Sequence, residues 1–156
     1  MKLFAASAAA LATALVFGPP RITVTQVQGT PPVTGAVLLV EAHHHTDEPQ
    51  DVSARAISLR NGQEVSKPLT LARYGEAGHY AVTKQWDAGT AYVLVFTIKQ
   101  GDHAQFGTAE SVVKVDAAGK IVGIEQVMEK NWRGDRYPRA ATAAEISAAL
   151  RSLGDN

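Results

Sequence analysis

A chain of 156 residues with 46% hydrophobic and 19% charged side chains has material for one folded core rather than two. Fifteen basic and fifteen acidic groups cancel, so no net field draws it to nucleic acid, anionic lipid or a polyanionic substrate. The absence of cysteine excludes disulfides, thiolate zinc sites, thiol nucleophiles, c-type haem attachment and a cysteine-borne lipid anchor.

The chain opens MKLFAASAAALATALVFGPP. Lys2 gives a positive start, Leu3 to Phe17 an uncharged run of apolar and small residues, and Ala12-Thr13-Ala14 a small-x-small cleavage pattern. These are the parts of a secretory signal peptide over residues 1–20. The run is shorter than the roughly 20 apolar residues of a membrane span; the competing assignment is a buried or interfacial helix. Export to a periplasm or the extracellular space is expected, with no stable span once the leader is removed.

From Arg21 the pattern becomes short β-like runs between turn residues. Arg21 to Gln28 is rich in β-branched residues and ends at Gly29, ahead of Pro31-Pro32. Gly35 to His44 carries an apolar run into three histidines. Asp51 to Arg60 sets Val52, Ala54 and Ala56 against Ile57 and Leu59. Asn61-Gly62 is the strongest hairpin signal in the chain. Leu69 to Tyr74 is a short strand, and Gly78 to Trp86 alternates Tyr80, Val82, Lys84 and Trp86 with His79, Ala81, Thr83 and Gln85. Ala91 to Lys99 is apolar on both faces, as a central strand is. Gln105 to Val115 and Lys120 to Val127 complete the series.

Seven or eight strands at a spacing of roughly 8–12 residues predict an all-β, antiparallel immunoglobulin-like sandwich over residues 21–127. Residues 128–156 form a tail. Within it Thr142-x-x-Glu145 matches a capping box, and Ile146, Ala149, Leu150 and Leu153 share one helical face. An amphipathic helix over 143–153, stopped at Gly154 and docked on the sandwich, is expected.

Asn61-Gly62, Gly78-His79-Tyr80 with Trp86, and Tyr92-Val93-Leu94-Val95-Phe96 occur in an order that resembles bacterial exported immunoglobulin-like or transthyretin-like modules, including those called YtkA-like. The resemblance spans about residues 30–125 and implies a fold and a compartment. It carries no catalytic residue onto this chain.

VEAHHHTDEP, residues 40–49, holds the densest chemistry. Side chains alternate along a strand, so His43 and His45 share one side and His44 takes the other. An H-x-H pair can hold one metal ion if further ligands arrive from His79, His103, Asp47 or Glu48. Zinc or Cu(II) suits such donors; with Met128 alone beyond Met1, a methionine-rich Cu(I) site is disfavoured. The competing and favoured assignment is a polar strand end entering a turn at Pro49, with no cofactor.

NWRGDRYPR, residues 131–139, sets Arg133, Arg136 and Arg139 beside Trp132 and Tyr137. Trp132, Arg133, Arg136 and Tyr137 are therefore candidates for stacking on a sugar or meeting an acidic partner. The favoured expectation is that these aromatics pack the tail against the sandwich while the arginines stay in water. Arg133-Gly134-Asp135 also spells an integrin-recognition tripeptide, a common coincidence. Tyr80, Trp86, Tyr92 and Phe96 are read as core in preference to a ligand shelf.

Ser53, Ser58, Ser66 and Ser111 lie in or near strands without a nucleophile elbow. The glycines sit at turns and form no phosphate loop. Asp47, Glu48 and Glu76 are scattered, with no pairing for glycoside chemistry. No enzymatic activity is expected. The function predicted is a non-catalytic, exported binding or accessory module of the cell envelope, with a protein or carbohydrate partner and no nucleic acid. Its alternative is periplasmic zinc or copper binding through the His43–His45 cluster with His79 or His103.

Overall fold

A computed structural model describes residues 19–43, 51–99 and 107–154. The strands are β1 (Arg21–Gln26), β2 (Ala36–His43), β3 (Asp51–Arg60), β4 (Gln63–Pro68), β5 (Ala72–Arg73), β6 (His79–Thr83), β7 (Tyr92–Lys99), β8 (Thr108–Val115), β9 (Ile121–Gln126), β10 (Met128–Lys130) and β11 (Arg136–Pro138). One helix follows, α1 (Ala143–Gly154). The strands form two main antiparallel sheets, ordered β1-β2-β6-β5 and β4-β3-β7-β8-β9, with β10 and β11 paired apart. The all-β, sandwich-like architecture with a C-terminal helix is as the alternation predicts.

The core lies between the two sheets. Ile22, Leu38, Val40 and Val82 face Leu94, Phe96, Ile98 and Val113 across it, all fully buried. Tyr80, Trp86 and Tyr92 join the same cluster, so these aromatics are core and not a ligand shelf. Polar contacts also stitch the layers. The Trp86 indole Nε1–H donates to the Gly119 carbonyl at 3.2 Å, and the buried Ser111 hydroxyl donates to the Ile22 carbonyl at 2.8 Å. A buried donor without such a partner costs about 1–3 kcal/mol.

Turn chemistry fixes register. Asn61 (φ 52°) and Gly62 (φ 76°) both adopt left-handed backbone, the conformation of a two-residue turn whose twist suits a hairpin. Arg60 consequently pairs Gln63, and β4 runs back along β3 to the pair Arg55–Pro68. The expected strand from Leu69 to Tyr74 is divided in the structure. The Leu69 amide still donates to the Ala54 carbonyl of the second sheet, whereas Ala72 and Arg73 pair with β6 in the first. The chain changes sheets between them.

β7 is buried on both faces. Leu94, Phe96 and Ile98 point into the sandwich. Val93 and Val95, with Ile57 and Val112, form a second apolar layer under Ile146, Leu150 and Leu153 of α1. The capping box is reciprocal: the Glu145 amide donates to Thr142 Oγ1 at 3.2 Å, and the Thr142 amide donates to Glu145 Oε2 at 2.8 Å. The Ser147 hydroxyl donates to Glu64 of β4, tying the helix to the sheet edge as well.

Leu150 is 2% exposed in this second layer. Leu150→Ala should therefore destabilise the fold by about 2–4 kcal/mol, read as a lowered denaturant midpoint with an unchanged slope. A loss below about 0.5 kcal/mol would mean that the helix is not docked as described.

Candidate functional site

Two regions concentrate polar chemistry. The first is the end of the first sheet where β2 finishes and β6 begins. Antiparallel register sets Glu41 opposite His79 and Arg21 opposite His43. Residues opposite one another share a face, and Glu41 and His43 are two apart on β2, so Glu41, His43 and His79 all lie on the outer face. The His43 and His79 rings meet edge to face with centroids 6.4 Å apart. The Tyr74 ring stands 5.8 Å from His79 on its other flank. A Glu41 carboxylate oxygen lies 3.8 Å from His43 Nε2. Nδ1 of His79 is buried and has no hydrogen-bond partner among the described residues.

Topology explains why His43 and His79 meet at this end. The Trp86–Gly119 bond places the exit of β6 at the turn between β8 and β9, so His79 at its start belongs to the opposite end. Asp51, Lys99 and Thr108 pair in series at that opposite end. His44 and His45, with Asp47 and Glu48, follow His43 in the chain, and His103 follows Lys99; all five lie outside the described residues. The structure thus unites His43 with His79 and describes neither His45 nor His103. The Glu41 carboxylate was missed, although its E-x-H spacing to His43 is legible in the sequence. Among the described residues no group of three or more histidine or acidic side chains is drawn together at metal-ligand distance.

The second region is the β10–β11 hairpin. Asn131 builds its tip: the Asn131 amide donates to the Asp135 carbonyl at 2.9 Å, and the Gly134 amide to the Asn131 carbonyl at 3.0 Å. The side-chain oxygen Asn131 Oδ1 accepts from the amides of Arg133 at 2.9 Å and Asp135 at 3.0 Å. Gly134 takes φ 88° to close the turn. Trp132, held at this tip, is 86% exposed, and the Arg133 guanidinium stands over its ring at 4.6 Å. The expectation that Trp132 packs the tail against the sandwich is overturned. A five-residue turn projects the ring beyond the paired strands, where it has no sheet to cover. Tyr137 is half-buried, whereas Arg136 is exposed and makes no ion pair among the described residues.

The hairpin's base is anchored through Glu110 and Arg139. The Val127 amide donates to the Glu110 carbonyl, and the Glu110 amide to the Arg139 carbonyl. The buried Glu110 carboxylate accepts from Thr97 Oγ1 at 2.8 Å and from the Ala141 amide at 2.7 Å. Arg139 grips Glu145 with two parallel bonds, Nη1 to Oε2 at 2.8 Å and Nη2 to Oε1 at 2.5 Å. Sequence reasoning missed Glu110, because a carboxylate on the outer phase of a strand looks like a solvated one. Between the hairpin and α1 lies an open groove of about 520 Å³, lined in part by Val112, Val127, Met128, Ile146 and Arg136.

No family model, no curated protein and no solved structure matches this chain. No helix among the described residues is long and apolar enough to cross a membrane.

The Arg139 guanidinium and the Thr142 amide hold the Glu145 carboxyl down at about 2, from an ordinary 4.5. The stabilisation from this pair is therefore complete above pH about 4.5 and lost as the pH falls toward 2. The melting temperature should fall over that window, and Glu145→Gln should be less stable at neutral pH while showing a shallower fall. Parallel curves for the two proteins would contradict the assignment.

Proposed function

We propose that this chain is an exported, non-catalytic binding module of the cell envelope, engaging a protein or carbohydrate partner through the β10–β11 hairpin. The observation that carries the proposal is the Trp132 ring, 86% exposed on a turn closed by five hydrogen bonds around Asn131. A ring left this exposed removes little apolar surface from water and so contributes little to folding stability. Aromatic and arginine side chains are the commonest anchors of binding energy when a partner covers them, and a turn already rigid loses little entropy on binding. Arg133 on the ring and Arg136 beside the groove supply cations for acidic groups of the partner. Export is supported by the leader pattern of residues 1–20, and the likeness to YtkA-like modules is in keeping with an envelope location.

The test is retention of native envelope components by the immobilised full chain and by Trp132→Ala, side by side. Folding stability should change by less than about 0.5 kcal/mol, because the ring touches little but Arg133. Retention should drop by at least roughly tenfold, the loss expected of an aromatic anchor. Equal retention by both proteins, or none by the wild type, contradicts the proposal.

A further inference from the structure

The histidine end of the first sheet carries an inference independent of the hairpin. We propose that Glu41, His43 and His79 form a binding site for a borderline divalent cation, Zn²⁺ or Cu²⁺, on the outer face of β2 and β6.

Three observations converge. His79 Nδ1 is buried with no hydrogen-bond partner among the described residues, and a buried polar atom left unpaired is destabilising until something satisfies it. A neutral imidazole nitrogen is a lone-pair donor, which a Lewis acid satisfies directly. The second imidazole is already adjacent, its ring centroid 6.4 Å away and perpendicular. A metal bound to imidazole nitrogen at about 2.0–2.1 Å sits roughly 3 Å from the ring centre, so two rings sharing one ion have centres roughly 5–6 Å apart. The observed spacing is slightly wider. The His43 side chain is 57% exposed and Glu41 50% exposed, so both are free to rotate toward His79, which is more enclosed. The third observation is the carboxylate: Glu41 lies opposite His79 in register and 3.8 Å from His43 Nε2.

Donor chemistry selects the ion. Two imidazoles and one carboxylate match zinc and Cu(II). Calcium and magnesium require shells made mainly of oxygen, and soft Cu(I) favours sulfur ligands that this cluster lacks. Three protein donors leave the fourth position of a tetrahedral shell to water or to another donor. Because no three such side chains are already drawn together among the described residues, binding requires the two exposed side chains to close on the ion. Affinity should therefore be below that of a preformed site.

The experiment titrates Zn²⁺, and separately Cu²⁺, into the full chain, by calorimetry for both ions and by histidine ring NMR for zinc. One ion should bind per chain, and the His79 ring signals should move at equimolar zinc. His43→Gln and His79→Gln should each weaken binding by at least roughly tenfold. Replacing His44 and His45 together by Gln should leave the affinity within a few-fold of wild type. Unmoved His79 signals overturn the proposal. So does full affinity in His79→Gln alongside loss in the His44/His45 double variant, which would assign binding to the consecutive histidines alone. Should His79→Gln fail to fold, the ring signals of the wild-type protein decide the matter by themselves.

Discussion

Strand β7 is the constraint on which the rest of the molecule depends. It is central in its sheet, and from Tyr92 to Ile98 every side chain is buried. A strand apolar on both faces must be covered twice. The first cover is the other sheet; the second is α1, whose Ile146, Leu150 and Leu153 close over Val93 and Val95. The helix is thus part of the core and not an appendage. Its docking in turn dictates how the tail must travel from β9. Arg139, Glu110 and the capping box fix that path, and the β10–β11 hairpin is the excursion the chain makes along it.

Both candidate surfaces follow from this framework. His43 and His79 meet where β2 ends and β6 begins, because antiparallel pairing brings an exit and an entry together. The hairpin base bonds to Glu110, two residues from the start of β8, so it springs from the same end of the sandwich on the other sheet. Buried polar side chains of β7 and β8 are tied up internally, Ser111 on Ile22 and Thr97 on Glu110. What remains for recognition lies at strand ends and at a turn, where a rigid scaffold presents groups that packing does not need.

Features set by local chemistry were legible in the sequence. The Asn61-Gly62 turn, the Thr142–Glu145 box, the two-faced burial of β7 and the aromatic core all follow from short-range pattern. Features set by pairing at a distance were not. His79 meets His43 only through the register of β2 with β6, and no spacing in the chain encodes that register. The sheet change after Leu69 was invisible for a related reason: the run is one extended segment whose two halves find different neighbours. The β10–β11 hairpin left a partial signal, an asparagine three residues before a glycine, but its strands lack the apolar alternation that marks a strand. Trp132 was misjudged because an aromatic is ordinarily assigned to burial, and only the length of the turn shows that the ring has nothing beneath it.

Native-state amide exchange along β7 tests most directly whether this strand is the doubly covered centre of the fold. If it is, the amides from Val93 to Ile98 exchange only through global unfolding, with protection matching the full unfolding free energy. Ending the chain ahead of Thr142 then strips that protection from the strand. Exchange of these amides through local opening in the intact chain, or protection that survives loss of the helix, would contradict the account.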